Sequence, residues 1–114
     1  MQDLSHIDKQ IQKNTVDIEA ARHQAENHRM MADQKREEGS DGSAQYYEEE
    51  ALRFEAQATE LEGQIEQLTA EKTRVETRIN ELEGQRQDAV RNHTEKLSQI
   101  DHELANLRGS SFML

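Results

Sequence analysis

The sequence is informative first for what it lacks. Its 114 residues include no cysteine, no proline and no tryptophan, and only four aromatic side chains. The absence of cysteine excludes disulfides and thiolate metal sites. No apolar run approaches the roughly 20 residues of a membrane helix, and no amino-terminal apolar run suggests a signal peptide. With 32% hydrophobic residues the chain has little material for a compact core. We therefore expect an extended protein, with a cytoplasmic location.

What is present is charge. A third of the residues are charged, and Glu, Gln, Ala, Leu and Arg dominate, as in long helices and coiled coils. The net charge of -10 is uneven, because residues 39–71 contain nine acidic residues and one basic residue. Phosphate contacts need clustered Lys and Arg, so we expect no direct binding to nucleic acid. A basic protein surface is the better expected partner.

Apolar residues recur at alternating spacings of three and four, which predicts an all-α fold. We expect a first helix over residues 5–38, beginning at a capping Ser5. Residues 39–43 form the one cluster of turn residues, and Ser43 is a suitable cap for a second helix over 43–108. So short a break predicts an antiparallel coiled-coil hairpin within a single elongated domain, residues 1–114.

Charges beside the apolar positions give an independent prediction of the register. Three arginines of the first helix face three glutamates of the second when paired as Arg36 with Glu48, Arg29 with Glu55, and Arg22 with Glu62. The residue numbers in each pair add up to the same value, as one fixed antiparallel register requires. Each exposed pair contributes about 0 to 1 kcal/mol, so the pairs mainly select register and orientation.

The predicted core is thin. Alanines of the first helix lie near the level of Tyr47 and Phe54 of the second, so small residues leave room for rings. Four polar side chains also fall at core positions, where they cost stability and either specify register or mark a surface that meets a third helix or stays partly hydrated: Asn14, His28, Lys35 and Lys72. We expect a hairpin of marginal stability.

The second helix is longer than the first, which reaches back only to about Ile79. Its C-terminal half nevertheless keeps the apolar alternation, and a lone amphipathic helix leaves that face in water. We therefore predict self-association, with a homodimer favoured. The predicted oligomerisation residues are Val90, His93, Leu97, Ile100, Leu104 and Leu107.

Two questions about this half stay open. Gly84 could hinge the helix back into a three-helix bundle, although one glycine alone is a weak turn signal. Parallel pairing sets Lys96 against Asp101 of the second chain, whereas antiparallel pairing sets Lys96 against Glu103 and brings Asp101 near its own copy. A parallel dimer is mildly preferred, and a trimer or tetramer is an alternative.

The turn carries the densest negative charge, and we predict that it contacts a partner through Glu37, Glu38, Asp41, Glu48, Glu49 and Glu50. The stretch from Arg36 to Tyr47, chiefly Arg36-Glu37-Glu38-Gly39 followed by Asp41 and Ala44, resembles in outline the amino-terminal coiled-coil hairpin of the Gre-type transcript cleavage factors. That resemblance implies an acidic tip that enters an RNA polymerase channel. The loop here offers Asp41 alone, where those factors carry two tip acids.

The chain ends in an apolar tail over residues 109–114, expected to be flexible. Phe112, Met113 and Leu114 beside a free carboxylate resemble ligands of PDZ-type modules, which predicts a second docking element.

A helical rod offers no concave pocket, and no Ser, His and carboxylate set can meet by spacing, so we expect neither an enzyme nor a cofactor. The function predicted is a non-enzymatic adaptor, spacer or chaperone-like scaffold. The alternatives are a regulator that inserts its acidic tip into a large enzyme, a secretion-apparatus stalk or chaperone, and a nucleic-acid mimic.

Overall fold

The computed structural model of the chain describes residues 2–109. Within them the chain forms two helices, α1 over Leu4–Glu37 and α2 over Asp41–Arg108, which pack together as a helical hairpin. The predicted all-α hairpin is therefore confirmed. Contacts divide the chain after Val75 into two units. We call residues 2–75 the hairpin and residues 76–108 the outer segment. Neither helix has a stretch that is long and apolar enough to cross a membrane.

The first helix begins one residue before its predicted start, and its cap is not Ser5. Asp3 precedes α1 in an extended conformation, and its carboxylate accepts a hydrogen bond of 2.8 Å from the backbone N–H of His6. An aspartate at this position satisfies one of the free N–H groups of the first turn. Ser5 is then simply a residue of that turn, because the cap is already supplied upstream.

The turn is shorter than predicted and leaves only Glu38, Gly39 and Ser40 between the helices. Gly39 has a φ of 80°, and the N–H groups of Gly39 and Ser40 donate to the carbonyls of Arg36 and Lys35 at 3.0 and 2.8 Å. These two bonds form a Schellman motif, for which glycine is favoured because it has no Cβ. Ser40 already accepts a bond from the N–H of Ala44, so the predicted cap Ser43 lies inside the helix.

Alanine dominates the seam between the helices. The buried residues are small apart from three β-branched side chains: Ile7, Ile18, Ala21, Ala25, Ala32, Ala44, Ala51, Ala58 and Val75. Leu61 and Ile65 pack against the cluster of Ile18, Ala21 and Ala58. Small residues on both helices let the backbones approach closely, so the hairpin is held by contact along its length rather than by a thick core.

The predicted antiparallel register is confirmed by the three predicted ion pairs, all of which form across the seam. Arg22 pairs with Glu62, Arg29 with Glu55, and Arg36 with Glu48. All six side chains are substantially exposed, so the pairs fix alignment more than they add stability.

Three polar side chains at predicted core positions have partners. The Asn14 amide donates to Gln64 at 3.3 Å, Lys72 lies 2.9 Å from Asp8, and a ring nitrogen of His28 lies 2.7 Å from the carbonyl oxygen of Gln24. Asn14 and Lys72 therefore join α1 to α2, as specificity elements at core positions do.

The hairpin ends earlier along α2 than the sequence indicates. Ile7 and Val75 are buried, whereas Ile79, to which the first helix was predicted to reach, is 37% exposed, and Leu82 is exposed as well. Their face belongs to the outer segment. α2 also continues as helix through Gly84. The three-helix alternative, which needs a turn there, is therefore wrong.

Candidate interaction surfaces

The predicted acidic surface gathers where the helices meet. Glu37 is the last residue of α1, Glu38 is its cap, and Asp41 is the first residue of α2. The other three carboxylates, Glu48, Glu49 and Glu50, lie about two turns into α2. We call these six residues the acidic end. Asp41 is well placed for a negative charge, because the exposed N–H groups of a helix start carry partial positive charge.

Half of the acidic end is already engaged within the chain. Glu48 holds the register pair with Arg36, Glu38 lies 3.2 Å from Lys35, and Glu50 lies 3.3 Å from Arg53. The other three, Glu37, Asp41 and Glu49, form no ion pair within residues 2–109, and Glu49 only accepts a hydrogen bond of 3.3 Å from Gln45. The charge available to a partner is thus smaller than the sequence suggests and is concentrated on these three.

Aromatic rings pack directly behind the acidic end. The His28 ring lies 5.9 Å from the Tyr47 ring and 5.2 Å from the Phe54 ring, and Tyr46 meets Tyr47 edge-on at 5.4 Å. Tilted and edge-on arrangements at these separations are favourable. The rings brace α1 against α2 at this level. Beside the seam the helices leave open grooves, one of them lined by Arg22, Arg29, Glu55 and other residues.

The predicted oligomerisation surface is exposed in the single chain. Val90 is 58% exposed and Leu107 78%, and the apolar residues between them at three and four spacing are exposed as well. With Ile79 and Leu82 they form a set that we call the apolar stripe: Ile79, Leu82, Val90, Leu97, Ile100, Leu104 and Leu107. His93 is the polar member of the same face. The outer segment itself buries none of these seven side chains.

Charged residues flank the apolar stripe. Within the described residues, Lys96, Asp101 and Glu103 form no ion pair, whereas Arg78 lies 3.3 Å from Glu81 on its own helix. Arg78 and Glu83 were not among the predicted assembly residues. Their signal was present in the sequence, since they repeat the five-residue spacing of Lys96 and Asp101 beside Ile79 and Leu82.

The predicted tail residues Phe112, Met113 and Leu114 lie outside the described residues, so their docking role stays a prediction. Within residues 2–109 no three His, Asp or Glu side chains gather into a group that could hold a metal ion.

Comparisons with protein-family models, with curated proteins and with solved structures found no match to this chain. The case for function therefore depends on the surfaces described above.

Proposed function

We propose that this chain is a non-enzymatic coiled-coil interaction protein, an adaptor or spacer that joins a second copy through its outer segment and offers its acidic end to a basic protein surface. The observation that carries the proposal is the apolar stripe. It has the same alternating apolar spacing as the hairpin seam, yet its side chains are exposed to solvent.

Exposure of the apolar stripe is costly for a single chain. Burial of a Val, Leu or Ile side chain contributes about 1.5–3 kcal/mol, and the stripe holds seven such residues over four heptads. A contiguous apolar surface of this kind is typical of a protein interface. Because the stripe is narrow and straight along one helix, another helix is the partner that fits it.

The hairpin holds its two helices in one defined register. Four ion pairs and one hydrogen bond join α1 to α2 in one register, so slippage of the helices is opposed along the seam. The acidic end therefore belongs to a hairpin with one defined register.

The acidic end supplies recognition by charge. Its three carboxylates without an ion pair lie among seven acidic and two basic residues over positions 33–50. Complementary charge speeds encounter and selects partners more than it raises affinity. A basic protein surface is the matching partner, and its binding is expected to weaken as salt is raised.

Self-association is tested by sedimentation equilibrium of the full chain with two matched variants. Val90 in the apolar stripe and Val16 on the hairpin are both 58% exposed in the single chain. Val90→Lys is expected to give a monomer, and Val16→Lys is expected to keep the mass of the parent. If the parent chain is a monomer, or if both variants retain the mass of its assembly, the assembly surface is wrong.

Recognition by the acidic end is tested with immobilised full-length chain and cell extract. The variant Glu37→Gln/Asp41→Asn/Glu49→Gln is expected to lose its captured basic protein. A control, Glu19→Gln/Glu60→Gln/Glu66→Gln, removes the same number of exposed carboxylates elsewhere on the hairpin and is expected to retain it. Equal capture by the two variants would reject the acidic end as the recognition surface.

One alternative has an observation of its own. Asp41 begins α2 beside the turn and forms no ion pair within residues 2–109, so it is free to enter a channel of a large enzyme. Under that alternative, Asp41→Ala abolishes regulation of the enzyme while helicity is retained. Under the proposal above, Asp41→Ala only weakens capture of the basic partner.

A further inference from the structure

The apolar stripe defines the helical positions that face a partner. Beyond the irregular spacing between Leu82 and Val90, the stripe residues Val90, Leu97 and Leu104 share one core position of the heptad. His93, Ile100 and Leu107 share the other. In a pair of parallel helices, a residue beside the seam on one chain faces the residue that lies five positions later in the sequence of the other chain.

At this spacing the bordering residues carry opposite charge three times. The three pairs are Arg78 with Glu83, Lys96 with Asp101, and Glu103 with Arg108. No bordering pair at this spacing within the outer segment has like charges. Because five residues of helix turn the two side chains away from each other, these pairs do not form within one chain.

We infer that a second copy of this chain docks along the apolar stripe in parallel and in register, and that these three charge pairs select that arrangement. The inference rests on the proposed function, since it names the partner and geometry of the same surface. Twofold symmetry doubles each pair, so six attractive contacts border the seam. In register, each of the seven stripe residues meets its own copy.

An antiparallel second copy fits less well. The best apolar match sets Leu97 against Ile100, and Val90 against Leu107. Lys96 then faces Glu103, but Asp101 lies near its own copy, where like charges repel. In that register Ile79 and Leu82 lie opposite positions beyond Arg108, the last residue of α2. The second helix therefore leaves both side chains exposed. Parallel pairing covers both.

The parallel arrangement carries two local costs. His93 meets its own copy within the seam, and Arg86 lies near its own copy at the irregular spacing before Val90. Polar residues at such positions reduce stability while they fix register and strand number. The tightest contact is therefore expected from Val90 to Leu107. Arg78 must also exchange its contact with Glu81 for Glu83 of the second copy.

Strand number follows from the width of the stripe. Charged residues border the apolar positions on both sides, so each helix presents a face only two positions wide. A face of that width suits a two-stranded seam, whereas larger bundles bury a wider apolar face. Sedimentation is expected to give twice the chain mass of 13.2 kDa. A mass of three or more chains would overturn this part of the inference.

Orientation is tested by single-cysteine cross-linking of the full chain, which has no cysteine of its own. Two variants, Val90→Cys and Leu107→Cys, are oxidised separately and as a mixture, and the linked peptides are mapped. Parallel pairing predicts that each variant cross-links to itself and that the mixture yields no link between positions 90 and 107. Antiparallel pairing separates each position from its own copy by about 25 Å, too far for a disulfide.

The control is Gln99→Cys, which lies on the outer face of the same helix and is exposed. It is expected to cross-link far more slowly than Leu107→Cys. A link between positions 90 and 107 would overturn the parallel geometry and leave self-association intact. A monomeric parent chain at about 100 μM would overturn both the inference and the self-association in the proposed function.

Charge reversal provides the second test. Lys96→Glu alone is expected to weaken the dimer about tenfold, because it opposes Asp101 of the second copy at two places. Adding Asp101→Lys restores the pair in the parallel geometry, and the dissociation constant is expected to return to within about threefold of the parent value. In the antiparallel geometry the double variant sets Glu against Glu103 and stays weak. That outcome would overturn the inference.

Discussion

Two parts of α2 share the same apolar spacing but differ in whether those apolar side chains are buried. Up to Val75, the apolar positions of α2 pack against α1, and the seam between the helices contains mainly buried alanines. From Ile79 to Leu107 the alternation continues and every residue of the apolar stripe is exposed. The difference has a simple cause, since α1 has 34 residues and α2 has 68. An apolar stripe thus indicates that a helix needs a partner without saying which chain supplies it.

The composition of the two parts differs in a related way. The hairpin seam uses Ala25, Ala32, Ala51 and Ala58 at positions where the apolar stripe has leucine and valine. Short side chains favour close contact between helices of one chain, where loop closure already brings them together. Separate chains must offset the entropy of association, and larger side chains bury more apolar surface for each residue.

The largest expected contrast comes from truncating one isoleucine in each part. Ile18→Ala removes a buried side chain of the seam and is expected to lower the free energy of unfolding of the hairpin by about 2–5 kcal/mol. Ile100→Ala is expected to leave the hairpin unchanged and to weaken only the concentration-dependent assembly. Urea denaturation at several protein concentrations measures both. Equal effects at all concentrations would remove the distinction between the parts.

A smaller effect is expected from enlarging an alanine of the seam. Ala58→Leu is expected to destabilise the hairpin by about 1–3 kcal/mol, because Ala58 is buried in the seam and a larger side chain there would push the helices apart. Ala56→Leu is the control, since Ala56 is exposed on the same helix and should be nearly neutral. Thermal unfolding followed by circular dichroism compares them. A stabilising Ala58→Leu would show that the seam is not closely packed.

The smallest effect concerns a repeated segment, Glu-Leu-Glu-Gly-Gln, which ends at Gln64 in the hairpin and at Gln85 in the outer segment. A Cβ added at Gly63 or Gly84 would meet no atom within 4 Å in the single chain. Both Gly63→Ala and Gly84→Ala are therefore expected to stabilise the helix by up to about 1 kcal/mol. If Gly84→Ala instead weakens self-association, another backbone approaches that glycine in the assembly. Sedimentation equilibrium of the two variants decides this.

Much of the hairpin could be predicted because two independent features of the sequence indicate the same register. The apolar alternation gives the helices, and the pairing of Arg22, Arg29 and Arg36 with glutamates gives the same alignment, which the ion pairs confirm. The turn was predicted less well. Gly39 and Ser40 close it through two backbone hydrogen bonds, and the sequence alone does not show that Gly42 and Ser43 are left to the next helix.

The interaction surfaces were harder to predict, for physical reasons. Ile79 and Leu82 have the same spacing as the buried residues before them, and spacing alone does not distinguish an exposed position from a buried one. In the acidic end, Glu48 was predicted both to contact a partner and to pair with Arg36, and the pair with Arg36 is formed. The ion pairs of Glu38 with Lys35 and of Glu50 with Arg53 were not predicted, because formal charge does not reveal which carboxylates are already paired. Charge also fixes the sign of a partner's surface without identifying the partner.

The central claim is that α1 buries the apolar face of α2 within the hairpin, and that a second chain buries the apolar stripe. Amide hydrogen exchange of the full chain, measured at protein concentrations below and above its self-association, tests this most directly. The account predicts constant protection from Ile7 to Val75 and protection that rises with concentration from Ile79 to Leu107. Protection of the outer segment that does not depend on concentration would contradict it.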